Sequence, residues 1–520
     1  MNDLVSNKNP FKKGELEYCK LIASVGRINS SNLSWWSSSL SSKNFGDSDL
    51  WQNICQYIDT GKIQGKKHGL FHSIRDAAEW IYRTRIIAPH KLRITHGKKL
   101  SARTKQIEYL FFTHFSPEAF DWSSGNYQDR FWAPLTDALD KSGKRYAMVG
   151  INHGKEREIA KFLINRDCNL PPIIPIEAFL SPTDIGHAIL LAYFNSPKIP
   201  QSVYFRNHNI SEILKRQFYD ELFSGQIVRN ISIYFAFRKL LKELKPKKIY
   251  WPWENHSWEH LLCMACIIES PSTKKIGFQH TAVPPFLLNH FPGEAECDYA
   301  PMPDRIITVG KISKNILGAF GHFPKDMLVE GCAIRHKYLF ERKVSLRRRT
   351  SVKKLGVALS ISAETSDAMI KILCEAFGKQ DKEILFRFHP LCQKELVPSA
   401  AILLDKFRNL SVSPNEPMDI FLKNCDVLVY TDSTVGFEAI FSGIPVVYLE
   451  TDEVHSMDSL FQLESFKRSA KSSEELVRAI SDFGEMTDAE YSKEQNDAQE
   501  YAKSYFNPIS DEGIEKFLNA

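Results

Sequence analysis

Buried strands alternate with helices in two separate series along this chain, and that repeated alternation restricts its fold more than any other feature. From Ile107, IEYLFFTHF and RYAMVGIN read as strands on either side of the helix DRFWAPLTDALDKSG, and KKIYWPW and KKIGFQH repeat the pattern around the helix SWEHLLCMACIIES. The second series runs KLGVALSI, DAMIKILCEAFG, EILFRFHP, LSVSP, PMDIFLKN, CDVLVYTD, TVGFEAIFSG and IPVVYLE. Strands that alternate with helices build parallel βαβ units, so the fold class is α/β. Between the series lies GCAIRHKYLFERKVSLRRRTSVKK, basic and poor in long apolar runs, which reads as a linker. The spacing predicts an N-terminal lobe over 1–340 and a C-terminal lobe over 341–520. The closing segment DAEYSKEQNDAQEYAKSYF predicts a charged helix suited to packing across both. A length of 520 residues agrees with this, since one core stops growing well before that size.

Composition excludes some classes. With 43% hydrophobic and 25% charged residues the chain is neither disordered nor fibrous, and a net charge of +5 is too small to imply nucleic-acid binding. Its ten cysteines are scattered, mostly in apolar runs, as expected of reduced core residues in a cytosolic protein. Cys263 and Cys266 form a CxxC without a second pair, a weak signal for zinc or redox chemistry. The N-terminus lacks a signal-peptide apolar core and no window is apolar enough to span a bilayer, so a cytoplasmic location is expected. Residues 61–106 carry twelve Lys or Arg against two acidic residues, around LFHSIRDAAEWIYRTRII. This segment has two readings: a solvated basic helix, or a peripheral surface resting on the anionic inner face of the cytoplasmic membrane. The stretch SSNLSWWSSSLSSKNF shows no periodicity from which to assign a fold.

Two Rossmann-like lobes joined near residue 340, with a cleft between them, describe the GT-B architecture. Ligands of such sheets bind outside the carboxyl ends of the strands, so chemistry belongs at strand ends. In EILFRFHPLC a strand ends in Arg387, His389 and Pro390; the proline stops the strand and biases His389 towards an extended backbone, where the imidazole can donate to a phosphate. In CDVLVYTDSTVGFEAIFSG, Thr431, Asp432, Ser433 and Thr434 occupy a strand-to-helix turn whose hydroxyls and free N–H groups suit an anion. Glu438, one turn into that helix, is placed to reach a ribose diol. Ser360 and Ser362 in ALSISAET occupy the same kind of turn and complete the candidate donor-nucleotide set.

The His-Pro and Ser/Thr-rich motifs together resemble the signatures of bacterial GT-B enzymes that use CMP-activated sugars, such as sialyltransferases and Kdo transferases. WPWENHSWE, GFQHTAVPP and SWWSSSLSSKNFGDSDLW resemble more particularly a family of bacterial surface-carbohydrate biosynthesis proteins of GT-B type. The resemblance covers most of the chain. It implies a glycosyltransferase that moves a Kdo-like or other nonulosonic acid from a CMP donor to a glycan or lipid-linked glycan acceptor of capsule, O-antigen or lipopolysaccharide.

For such chemistry the candidate catalytic residues are Glu254, Glu259 and His280. Glu254 lies in the loop after KKIYWPW and leads as the carboxylate that meets an oxocarbenium-like centre, either as base or as nucleophile. Glu259, in the first turn of the following helix, is the second candidate, or it orients a neighbour and complements the helix dipole. His280 ends the next strand. A single phosphate needs little neutralisation, so no metal and no other cofactor is expected. Three rival readings remain: a UDP-sugar-dependent transferase, a UDP-sugar 2-epimerase, and a zinc metallopeptidase built on His256, Glu259 and His260, which spell HxxEH.

Overall fold

The computed structural model describes residues 10–11, 14–43, 50–62, 75, 78, 107–115, 119–152, 156–165, 170–341, 352–378, 380–390, 392, 394–403, 406–414, 416–451 and 457–520. Of the basic segment 61–106, only Gly61, Lys62, Arg75 and Ala78 are among them, so its membrane reading lies outside the described residues.

The first sheet has seven parallel strands, β1 (Tyr109–Phe115), β2 (Tyr146–Asn152), β3 (Ile173–Pro175), β6 (Lys248–Pro252), β7 (Lys274–Gln279), β8 (Arg305–Thr308) and β9 (Leu328–Glu330), ordered β3-β2-β1-β6-β7-β8-β9. A two-residue ribbon, β4 (Tyr204–Phe205) with β5 (His208–Asn209), stands apart from it. The second sheet has six parallel strands, β10 (Lys354–Ala358), β11 (Glu383–Arg387), β12 (Leu410–Val412), β13 (Val427–Tyr430), β14 (Val446–Leu449) and β15 (Lys467–Ala470), ordered β12-β11-β10-β13-β14-β15.

Both orders follow one rule. The chain starts a sheet in its middle, walks outward for three strands, returns to the far side of the first, and walks the other way. That is the doubly wound Rossmann order, and each sheet has one switch point where the direction reverses. In the first sheet it lies between β1 and β6; in the second, between β10 and β13. Strands covered on both faces need apolar residues at every position. β13 shows this: Val427 and Val429 join the core on one side of its sheet, Leu428 and Tyr430 the core on the other. The expected two Rossmann-like lobes of the GT-B arrangement are therefore present.

The penultimate helix, Asp488–Tyr505, ties the lobes together. Near its middle, Gln495 donates to the Gly443 carbonyl and Glu494 accepts from the Phe466 N–H, both in the second lobe. At its end the ring of Tyr505 packs 4.5 Å from Phe437, in the helix Val435–Phe441 that leaves β13, while its hydroxyl accepts from the N–H of Val283 in the loop after β7. The carboxyl edges of the two sheets thus meet around one tyrosine. The chain then returns to the first lobe, where Asn507 binds Glu330 and Gly331 and the Tyr250 hydroxyl donates to the Phe517 carbonyl.

The stretch from Gly331, read as linker, is built structure as far as Glu341. Cys332, Ala333, Ile334 and Leu339 are buried, and Phe340 packs on Phe441 of the second lobe. The abundance of basic residues hid this short apolar set.

The Ser/Trp-rich segment also has a defined form. It makes two short helices, Leu33–Trp36 and Ser39–Ser42, anchored by Glu221, whose carboxylate accepts from both the N–H and the hydroxyl of Ser39. Its Ser38 carbonyl accepts from the Ser257 hydroxyl, and Trp36 packs edge-on against His260. The two most distinctive stretches of the sequence therefore support each other.

Candidate active site

The strand β6 ends at Pro252, which has no N–H with which to extend the ladder. The following loop turns through Asn255, at φ +56°, a left-handed conformation that asparagine tolerates better than most residues. The Asn255 amide donates to the Asn289 carbonyl, and its oxygen lies 3.0 Å from Nε2 of buried His260. Asn289 in turn donates to the Glu254 carbonyl. Glu259 closes the loop from the first turn of the helix Ser257–Glu269. One oxygen accepts from the backbone N–H of Glu254 and of His256, each at 3.0 Å, and the other from Nε1 of Trp251 at 2.8 Å. This reciprocal capping leaves Glu259 buried, with both oxygens spent on the loop itself. Burial pushes its carboxyl up to about 7, against the three N–H donors and His256 that pull it down.

Glu254 is the carboxylate that the loop presents. About a third of its side chain remains exposed, at 34%. Its Oε2 lies 2.8 Å from Nε2 of His256, and its Oε1 lies 3.6 Å from Nε2 of His280. A carboxylate only accepts, so Nε2 of His256 carries the proton. His280 is fixed from behind. Arg335 Nη1 donates to its Nδ1 at 2.9 Å, which leaves that nitrogen unprotonated and puts the ring proton on Nε2, facing Glu254. Burial drives His280 well below its ordinary value; Glu254 opposes this and Arg335 adds to it, so the ring is neutral. Burial alone would raise Glu254, but the His256 hydrogen bond and the nearby histidines outweigh it and hold the carboxyl below the usual range.

At the switch point of the second lobe, Ser360 follows β10 and Asp432 follows β13. The Ser360 hydroxyl donates to Asp432 and accepts from the N–H of Ser362 at 2.9 Å, while Ser362 caps the helix Ala363–Phe377 by accepting from Thr365. Burial raises Asp432, partly offset by Ser360; burial lowers His389, with Asp432 acting the other way. Thr431 is buried at 1% exposure, and among the described residues its hydroxyl has no hydrogen-bond partner. Ser433 accepts from the Val435 N–H, whereas Thr434 makes no side-chain cap. Arg387 donates to the Glu416 carbonyl and lies over Phe421, bracing the turn into the helix Met418–Lys423. Pro390 is exposed, and Glu438 is half-buried one turn into its helix.

The structure thus gathers Glu254, Glu259 and His280 at one switch point, and Ser360, Ser362, His389, Thr431 and Asp432 at the other. It also brings in Arg335 and Asn289, which the sequence did not mark. His256, Glu259 and His260 do not converge on a common point: His256 faces Glu254, Glu259 faces the loop N–H groups, and His260 faces Asn255. Among the described residues no group of His, Cys, Asp and Glu is arranged to hold a metal ion.

No protein-family model matches the chain, and no curated protein matches it in sequence. Among solved structures it is similar to MurG of Acinetobacter baumannii, at 9% identity over 79% of this chain and 100% of that one, with a TM-score of 0.44. It is similar to UDP-GlcNAc 2-epimerase from Neisseria meningitidis bound to UDP-GlcNAc, at 13% identity over 80% of this chain and 100% of that one, with a TM-score of 0.46. The calicheamicin glycosyltransferase CalG4 shares 11% identity over 80% of this chain and 99% of its own, with a TM-score of 0.42. Likenesses this distant decide neither activity nor substrate, and the reading of the site rests on its own geometry.

Proposed function

We propose that this chain is a glycosyltransferase that takes a Kdo-like or other nonulosonic acid from a CMP-activated donor and transfers it to a surface glycan. The observation that carries the reading is the ionised, partly exposed Glu254, held between the N–H groups of His256 and His280 at one switch point. Across Tyr505 stands a polar set at the other switch point, Ser360, Asp432 and His389. Departure of the nucleotide leaves positive charge on the sugar. A carboxylate hydrogen-bonded by one imidazole and faced by a second is a weak base towards a hydroxyl, but it suits the stabilisation or covalent capture of such a centre. The opposite set offers hydroxyls, N–H groups and an imidazole to a single phosphate, so the reaction is proposed to proceed without a metal. Full turnover in excess EDTA supports that part; loss restored by magnesium refutes it. The acceptor is proposed to be lipid-linked, with the basic segment 61–106 resting on the membrane. No described helix is long and apolar enough to cross one.

The test is a thermal-shift series with CMP, CDP, UMP, UDP and GDP on the wild type and on His389→Ala. A ligand at a hundredfold excess over its dissociation constant adds about 2.7 kcal/mol of apparent stability. Stabilisation by CMP, lost in the variant, is the expected result. A preference for UDP replaces the donor assignment, and no response to any nucleotide removes the glycosyltransferase reading.

A further inference from the structure

Two arginines share one aromatic ring beside Glu254. The guanidinium carbons of Arg130 and Arg335 each lie 4.8 Å from the ring centre of Phe131, which keeps the two cations within about twice that distance of each other. They reach it from different parts of the chain: Arg130 from the loop between β1 and the helix Ala133–Lys141, Arg335 from the turn after β9. Phe131 also packs 5.0 Å from His280, so the pair stands one imidazole away from Glu254.

Among the described residues no carboxylate lies within ion-pairing distance of either guanidinium. Asp129, the nearest in sequence, spends its oxygens on the hydroxyls of Thr113 and Tyr127 and on the N–H groups of Phe131 and Trp132. Arg335 uses one N–H on His280, and among the described residues no other acceptor takes the rest of its fork; Arg130 is exposed and donates to none of the described residues. Burial first, and then the field of Arg130, pull Arg335 below its ordinary value, while Glu254, Tyr338 and Asp129 act in the opposite sense. Guanidinium forks match the planar or tetrahedral oxygens of carboxylates and phosphates, and bringing two like charges together favours an anion between them.

We propose that Arg130 and Arg335, spaced by Phe131, form a subsite for a carboxylate or phosphate group carried by a substrate. This rests on the reading of Glu254 as the reaction centre. An anionic substrate brought to Glu254 meets repulsion there, and the arginines offset it one imidazole away. Two sources share this chemistry: the carboxylate of an acidic sugar donor, or the phosphate of a lipid-linked acceptor.

The experiment titrates the full chain with N-acetylneuraminate and, separately, with inorganic phosphate, following melting temperature. The wild type, Arg130→Gln, Arg335→Gln and Arg335→Lys are compared. Saturable stabilisation is expected, with a midpoint about tenfold higher in either Gln variant, since a hydrogen bond to a charged group is lost. The Arg130 variant leaves the Arg335–His280 bond in place, so a shift there reports the anion and not a displaced histidine. A response to N-acetylneuraminate alone assigns the donor carboxylate; a response to phosphate alone assigns the acceptor. Saturation by neither anion, or equal midpoints in wild type and Arg130→Gln, overturns the subsite. These outcomes are independent of the nucleotide series: anion binding through the arginines without nucleotide binding keeps the subsite and removes the transferase reading, and the converse removes the subsite alone.

Discussion

Oε2 of Glu254 lies 2.8 Å from Nε2 of His256, while the backbone N–H groups of these same two residues both point at Glu259. Two glutamates five positions apart therefore do different work. Glu254 is presented; Glu259 shapes the loop that presents it. Glu254→Gln is expected to keep the fold while lowering kcat by roughly 10²- to 10³-fold, because a neutral amide stabilises developing positive charge poorly. Above pH 7, where the group is ionised, Glu259→Gln is expected to lower stability by about 1–3 kcal/mol, since its NH₂ meets N–H donors where an acceptor is needed. Transfer assays paired with urea unfolding separate the two. Equal stability losses in both variants contradict the division.

Four buried histidines set the pH range of the fold. Burial holds His260 at about 3, His290 at about 4 and His336 at about 3, and drives His280 well below its ordinary value. Unfolded, each titrates near 6.5. Their folded values are depressed, so the stability they contribute is complete above 6.5 and is lost as pH falls towards the folded values. Glu259 has the opposite sense: its folded value is raised to about 7, so the folded chain keeps a proton there that the unfolded chain loses above about 4.3. Between pH 6.5 and 4.5 the histidines make unfolding take up protons, with Glu259 acting in the opposite sense, so stability falls as the pH is lowered. Urea midpoints across pH 5 to 7 measure the slope, which should steepen in Glu259→Gln once the opposing contribution is gone. A flat profile contradicts neutral, buried imidazoles.

How much of this was legible follows from where each signal resides. Strands covered on both faces are continuous apolar runs, so VLVY and VVYL announced their sheet directly, and with it the strand ends that carry Ser360, His389 and Asp432. Glu254 was legible because it follows such a strand. Glu259 was not separable from it: only burial and three N–H donors distinguish the two, and both depend on the folded loop. Arg335 was hidden in a stretch whose charge reads as linker, although Cys332, Ala333 and Ile334 bury it into the first lobe. The four-residue helices at Leu33–Trp36 and Ser39–Ser42 are too short for any periodicity, and their positions are set by distant partners such as Glu221.

The basic segment gives a membrane test from sequence alone. Twelve cations against two acidic residues over 61–106 amount to an attraction of about 1 kcal/mol for each Lys or Arg that reaches an anionic surface. Flotation with phosphatidylserine-containing vesicles should recover the wild type at low salt and release it at high salt. Neutralising Lys66, Lys67, Arg83 and Arg85 should reduce recovery steeply; unchanged recovery rules out this segment as the contact.

The lobe junction makes a prediction of its own. The Tyr505 hydroxyl accepts from the Val283 N–H at 2.8 Å, in the loop that also carries His280 and His290, while its ring stays 4.5 Å from Phe437 at the edge of the second sheet. Tyr505→Phe keeps the ring contact and leaves a buried N–H unsatisfied, at a cost of about 1–3 kcal/mol. Tyr505→Ala also removes the ring and costs more, about 3–5 kcal/mol by analogy with other large aromatics. The proposed donor set sits wholly in the second lobe, so the Phe variant should bind CMP as tightly as the wild type. His280 and Glu254 sit on the side that has lost its tether, so kcat should fall. Nucleotide titration and steady-state transfer on the same preparation resolve this: a weakened nucleotide site with kcat unchanged places the role of Tyr505 in the second lobe alone, whereas the opposite split makes it the residue that aligns one carboxyl edge with the other.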